Sequence, residues 1–303
     1  MPTVLIGGGS GLIGMRLSYL LKQKGYEVIH LSRKGDLKAI YPRYAWNLNA
    51  GEIDDEAVRK ADYVINLAGA GIADKSWTAS RKKLIIESRV KSMLLFKNAF
   101  EKIGKSPKAF IAASATGFYG DRGEEWVDEN AEPGEGFLSE STQAWENSTK
   151  ELKELNTRVV TIRIGIVLST KGGALPKLML SQKFRVGTYF STGNQYSPWI
   201  HIDDLCSIFI KSIEDDQMAG TFNAVAPNIV TNYQLTKAIA KAKKINVIMM
   251  PVPGFLLRLG MGEMADVILT GARVSAEKIQ KKGFEFNFPE LIPALKDLFD
   301  RKL

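Results

Sequence analysis

Residues 3–25 read TVLIGGGSGLIGMRLSYLLKQKG, and the change of period inside this stretch decides the fold. TVLIG (3–7) is a short apolar run of β character. After the glycines, Leu17, Leu20 and Leu21 recur at helical spacing until Gly25 closes the segment. The order is strand, glycine turn, helix. Gly8, Gly11 and Gly14 give G-x-x-G-x-x-G, and Gly9, Gly11 and Gly14 give an overlapping G-x-G-x-x-G. A glycine-rich turn between a first strand and a first helix lets the backbone N–H groups at the helix N-terminus approach a pyrophosphate. Gly8, Gly9, Ser10, Gly11, Leu12, Ile13 and Gly14 are therefore expected to contact a dinucleotide; the alternative is a tight turn with close helix packing and no ligand.

Working outward, further short apolar runs repeat at 26–33, 61–69, 107–115, 157–169 and 220–227, with a long amphipathic stretch over 78–103 between the third and fourth strands. Strands alternating with helical patterns predict a doubly wound α/β fold of Rossmann type, with a parallel sheet covered on both faces. The Gly-rich, aromatic segment 171–200 has no regular period, and the last 55 or so residues read as a small helical cap ending in a helix near 289–303. The expected division is a dinucleotide-binding domain over 1–168 and 199–245, and a smaller, mainly helical substrate lobe over 169–198 and 246–303.

The 303 residues are 45% hydrophobic and 24% charged, which is ordinary for a globular chain. No run reaches the roughly 18 apolar residues of a membrane span, and no basic leader precedes an apolar core, so a cytoplasmic protein is expected. One cysteine, Cys206, and two histidines, His30 and His201, leave little material for disulfides or for Cys- or His-rich metal sites. The 41 basic and 33 acidic residues give +8, but the positive charges are scattered rather than striped. That argues against nucleic acid as a partner and suits an anionic cofactor or substrate.

The end of the second strand selects the cofactor. An NAD site places an acidic residue there for the ribose 2′-hydroxyl, whereas this chain has Ser32, Arg33 and Lys34. A 2′-phosphate matches better, so NADP is expected, with Ser32 and Arg33 as its contacts. Otherwise Arg33 is a solvated surface charge.

GGGSGLIG, NLAGAGI, SATGFYG, WIHIDD and TFNAVAP, in this order, resemble the extended short-chain dehydrogenase/reductase superfamily. WTASRKKLIIESRV, NAVAPNIVTN, PVPGF, GEMA and GFEF are similar to its atypical epimerase family branch, also termed nucleoside-diphosphate-sugar epimerase-like, which carries a small C-terminal domain of unassigned role. The resemblance implies that Leu67, Ala68 and Gly69 pack on the adenine and ribose, and that Arg163, Ile164 and Gly165 line the nicotinamide side. It also implies that Arg89 stands where the superfamily has a relay asparagine. Its planar fork suits a phosphate, although a structural arginine bonded to loop carbonyls is the other reading.

Typical members move a proton with a Tyr-x-x-x-Lys pair. The corresponding positions here are Leu138 and Thr142, and neither can do that work. Ser114 matches the superfamily's upstream serine, and Thr116 and Tyr119 lie beside it; any of the three hydroxyls is a candidate to face substrate, with Tyr119 also readable as a buried turn residue. His201 is expected to be structural, with Asp203 or Asp204 capping the helix that follows, and Trp145 and Cys206 to be buried. The resulting expectation is an NADP-binding oxidoreductase or epimerase-like protein acting on an unidentified small molecule, as monomer or homodimer. The rivals are a non-catalytic NADP sensor and a plain interaction module.

Overall fold

The structure, a computed structural model, describes residues 1–301. Its centre is an eight-stranded sheet. Five strands come from the N-terminal part: β1 (Thr3–Gly7), β2 (Glu27–Ser32), β3 (Arg43–Asn47), β4 (Glu52–Ile53) and β5 (Tyr63–Asn66). After β6 (Ala109–Ala115) and the short β7 (Trp126–Val127), which lies outside this sheet, follow β8 (Arg158–Ile164) and the brief β9 (Ile166–Leu168). Next come β10 (Val186–Phe190), β11 (Trp199–His201) and β12 (Gly220–Ala224). The spatial order is β12-β8-β6-β5-β1-β2-β3-β4, parallel throughout except for the β3–β4 pair. Because the chain leaves β1 toward β2 on one side and returns to β5 on the other, the C-terminal ends of β1 and β5 flank a topological switch point, where open α/β sheets bind ligands.

Helices α1 (Leu12–Gln23), α2 (Asp55–Lys60), α3 (Ala79–Ile103), α4 (Phe137–Lys150), α5 (Ala174–Leu178), α6 (Ile202–Glu214) and α7 (Asn232–Ala242) follow in order, with α3 and α4 packed together and α1 packed on α6. Strands are present at all six expected places, and residues 34–60, to which no element is assigned from the sequence, hold β3 and β4. In β3 only Tyr44 and Trp46 turn inward, so two apolar points carry the whole signal.

The predicted strand 157–169 is two strands. A Cβ at Gly165 would lie 2.5 Å from the Pro198 carbonyl oxygen, and at this bend the chain leaves the main sheet so that β9 pairs with β11. The pieces assigned to a substrate lobe do meet, through β10 paired with β13 (Ile248–Val252). Beyond it, α8 (Gly254–Met261) and α9 (Asp266–Leu269) stand apart from the main sheet. The last segment behaves differently from the expected cap. The strand β14 (Arg273–Val274) pairs with β7, α10 (Glu277–Lys281) packs on β12, and α11 (Leu291–Asp300) packs on α7. The end of the anticipated 289–303 helix, residues 302–303, lies outside the described residues. Among the described residues, no helix is long and apolar enough to cross a membrane.

Candidate functional site

The turn after β1 is built by contacts that only glycine permits. Gly8 has φ +77° and lies against the backbone of Leu67 and Ala68. A Cβ at Gly9 would fall 2.4 Å from the ring of His30, and one at Gly14 would fall 2.6 Å from Gly9. These positions are closed by the protein itself. Gly11 differs: the nearest atom to a Cβ there is the Gly8 carbonyl oxygen at 3.3 Å, and nothing else lies within 4 Å. Internal packing therefore does not explain the missing side chain at Gly11, whereas close approach of a ligand does. Gly11 is also the N-cap of α1, no side chain caps this helix, and its first turn holds no acid. Its first N–H groups and the positive end of its dipole are left for an anion. The residues of the turn fit a dinucleotide pyrophosphate.

At the end of β2, Ser32 folds its hydroxyl back on the Lys34 carbonyl at 2.5 Å, and Arg33 is exposed with no acceptor among the described residues. Leu67, Ala68 and Gly69 follow β5 beside the glycine turn, and the Ala68 N–H is held by Asn66 Oδ1 at 3.1 Å. Arg89 donates to the carbonyls of Ile85 (2.8 Å) and Ala70 (3.1 Å), and its guanidinium lies over the Trp145 ring. The Ala70 carbonyl belongs to the loop after β5, as the structural reading of Arg89 has it, whereas Ile85 lies one turn back in α3. Burial, reinforced by the charge of Arg81, lowers its pKa to about 10.

The three candidate hydroxyls have different surroundings. Ser114 is buried and donates to Glu146 Oε1 at 2.6 Å. Thr116 is half-buried, and its hydroxyl makes only a long 3.5 Å contact with the Ile164 carbonyl, next to the neighbouring Ala115–Ile164 pair of the sheet. Tyr119 is fully buried; it donates to Asn223 Oδ1 at 2.7 Å and accepts from Arg163 at 3.0 Å, and burial pushes its pKa up to about 12. Thr116 is thus the hydroxyl with free surface and only one long hydrogen bond, while Tyr119 belongs to the core.

Arg163, which the resemblance puts on the nicotinamide side, is engaged by the protein itself. It is 4% exposed, makes a bidentate pair with Glu146 at 2.8 and 2.9 Å, and lies over the Phe118 ring. No motif singles out Glu146; its link to Ser114 and Arg163 depends on the packing of α4 on β6. Leu138 sits under Gly117, and the Thr142 hydroxyl is spent on the carbonyls of Leu138 and Ser139.

Above Leu138 opens a cavity of about 390 Å³, walled by Trp77, Phe137, the Gly120–Arg122 and Pro133–Gly136 loops, and by Asp266 and Thr270 from the C-terminal part. Trp77 and Phe137 meet edge to face with centroids 4.7 Å apart. Lys82, over the Phe137 ring, pairs with Glu263 and so ties α3 to the segment between α8 and α9. His201 does not line this cavity and is fully buried. It is itself the N-cap of α6, accepting from the Asp203 N–H at 3.1 Å, where Asp203 or Asp204 had been expected. Asp203 instead binds Arg16 and Arg301, and Asp204 accepts the N–H groups of Asn287 and Phe288.

Residues 4–224 match the NAD dependent epimerase/dehydratase family, and residues 252–298 match a domain of unknown function, DUF1731. Epimerase family protein YfhF of Bacillus subtilis is 33% identical over 99% of both chains, and epimerase family protein ML0860 of Mycobacterium leprae is 32% identical over 96% of this chain and 94% of its own. Human epimerase family protein SDR39U1, solved with NADPH, superposes with a TM-score of 0.87 at 30% identity, covering 98% of each chain. With its sheet order, glycine turn and C-terminal domain accounted for, this chain belongs to the NAD dependent epimerase/dehydratase family.

Proposed function

We propose that the protein binds NADP(H) at the glycine turn and acts on a small molecule as an oxidoreductase or epimerase-like enzyme. The observation that carries this reading is the pairing of an open Cβ direction at Gly11 with an unpartnered Arg33 one strand away. The human relative solved with NADPH supports it. The N–H groups of the first turn of α1 would hold the pyrophosphate, Ser32 and Arg33 the 2′-phosphate, Leu67 to Gly69 the adenine and ribose, and Arg89 a further cofactor oxygen. Ile164 would line the nicotinamide. When bound, the nicotinamide supplies or accepts a hydride.

For the accompanying proton, the chain offers no Tyr–Lys pair. In this reading Thr116, directly or through a water, orients or protonates the substrate oxygen, and Ser114, held by Glu146, keeps the end of β6 in place. NADPH consumption against carbonyl compounds and sugar nucleotides tests the proposal, with Thr116→Val as the control variant. Turnover lost in that variant with NADPH binding kept is expected; undiminished turnover would exclude Thr116.

A second reading, a non-catalytic NADP(H) sensor, is favoured by one observation. The usual proton-transfer positions hold Leu138, which has no ionisable group, and Thr142, whose hydroxyl is committed to backbone. NADPH binding without turnover on any member of the panel is the outcome that this reading expects.

A further inference from the structure

The positive charges form no stripe in the sequence, yet their net excess has one origin. Residues 171–202 hold four basic and no acidic residues, and residues 217–262 hold five basic and none acidic. The rest of the chain has 32 basic against 33 acidic residues, so the whole excess comes from these two stretches. They include α5, β10 and the turn before it, α7, β13 and α8. All nine cations are exposed, and among the described residues only Arg258 has a carboxylate partner, Asp266.

The same segments leave large apolar side chains uncovered. One face of the β10–β13 ribbon is taken by α7: Met249 and Val247 crowd the Cβ direction of Gly187 beside Thr236 of that helix. Alternation along the strand turns Ile248 and Met250 to the other face, where both are exposed. The Ile248 N–H donates to the Arg185 carbonyl at 2.9 Å, which brings Phe184, 81% exposed, to the same end of the ribbon. Through Pro253 the strand enters α8, in which no residue is buried; Phe255 and Leu259 lie one turn apart on it, and Leu259 is 83% exposed. Single exposed apolar side chains are ordinary, but five gathered in one basic lobe mark a surface that meets something.

We propose that this lobe seats the protein on an anionic lipid surface, with Phe184, Ile248, Met250, Phe255 and Leu259 entering the headgroup region and exposed cations such as Lys183 and Arg185, on either side of Phe184, meeting the lipid phosphates. Charge decides between the possible occupants. A second copy of this chain on the same face would set like charges opposite one another, whereas anionic headgroups match them. Such seating needs no helix that crosses the membrane.

The test is co-sedimentation of the full chain with vesicles of phosphatidylcholine alone and of phosphatidylcholine with about one-third phosphatidylglycerol, at ~0.05 and ~0.5 M salt. Binding to the anionic vesicles at low salt is expected, at least tenfold weaker on phosphatidylcholine alone and at high salt. The double variant Phe255→Ser with Leu259→Ser, and separately Lys183→Glu with Arg185→Glu, should each weaken it at least tenfold with an unchanged melting temperature, since all four side chains are exposed. Leu84→Ser, also at an exposed apolar position but on α3, should have no effect. Failure to bind the anionic vesicles overturns the proposal, and so does binding that either double variant retains in full. A dimer that Phe255→Ser with Leu259→Ser dissociates, in a protein that does not bind vesicles, gives the face to a second copy and also overturns it.

Discussion

Replacing Gly11 with valine separates ligand binding from folding in a way that no other glycine of the turn allows. At φ −75° and ψ 174° the residue is in the extended region open to any L-amino acid, and its Cβ would meet only the Gly8 carbonyl oxygen, at 3.3 Å. Losing glycine at an N-cap costs on the order of 0.5–1 kcal/mol. The reduced freedom of the unfolded chain returns about 0.4–1 kcal/mol. These offset, so the melting temperature should stay within roughly 3 °C of the parent. The isopropyl group would occupy the approach of the pyrophosphate, and a loss of at least ~2.8 kcal/mol, about a hundredfold in Kd, is expected for NADPH. Gly14→Ala is the contrast: its methyl would sit 2.6 Å from Gly9 and force α1 off the turn, costing about 1–3 kcal/mol in stability. Calorimetric titration together with thermal melts reads both effects. A folded Gly11→Val protein that binds NADPH as the parent does would refute the reasoning.

Rate measurements on the three hydroxyl variants should divide them. Thr116→Val is expected to lower kcat more than it weakens NADPH binding, whereas Tyr119→Phe should lower stability by roughly 1–3 kcal/mol, because it strands the amide of Asn223 and one arm of Arg163; the opposite pattern would return Tyr119 to the active site. Glu146→Gln leaves Arg163 buried without a counter-charge and should cost about 3–5 kcal/mol in denaturant unfolding, while a paired exchange of both residues for apolar ones of similar volume should cost far less. Equal costs would show that the ion pair is not the unit. Acidification should destabilise the protein: burial holds His30 and His201 near pKa 4 against 6.5 when unfolded, so the unfolded chain takes up the protons first. That stability is complete above pH 6.5 and lost as pH falls toward 4, by up to about 3 kcal/mol per histidine. A melting temperature that does not fall between pH 6.5 and 4.5 would contradict the burial argument.

The parts legible in the sequence are those written locally. The strand, glycine turn and first helix occupy 23 consecutive residues, and Gly8 needs its positive φ whatever the rest of the chain does. The long helix declares itself by period and by a Gly104 cap in the left-handed region. Strands toward the margin of the sheet are harder: β3, next to the terminal β4, shows two inward side chains and no run. Whether a strand stays in one sheet depends on what meets it, and Gly165 bends because Pro198, thirty-three positions later, leaves no room for a Cβ. The candidate site divides in the same way. The glycine turn and the Ser32–Arg33 pair lie at strand ends, so their expected cofactor role can be read from spacing, whereas that of Leu67 to Gly69, Arg89 and Ile164 rests on the resemblance. The network of Ser114, Glu146, Arg163 and Tyr119 joins β6, α4, β8 and the turn after β6, and the clasp of Asp203 by Arg16 and Arg301 spans almost the whole chain. No periodicity carries such pairs: the resemblance implies only that Arg163 lines the nicotinamide side, and its buried pair with Glu146 appears only in the folded chain.

The most direct test of the central claim is the affinity of the wild-type protein and of Arg33→Ala for NADPH and NADH, measured side by side by calorimetry. A charge-assisted contact between Arg33 and the 2′-phosphate contributes about 1.5–3 kcal/mol, so NADPH should bind roughly 10- to 150-fold more tightly than NADH, and Arg33→Ala should erase most of that preference while leaving NADH unchanged. Equal affinities for the two nucleotides, or a preference that survives the loss of Arg33, would contradict it.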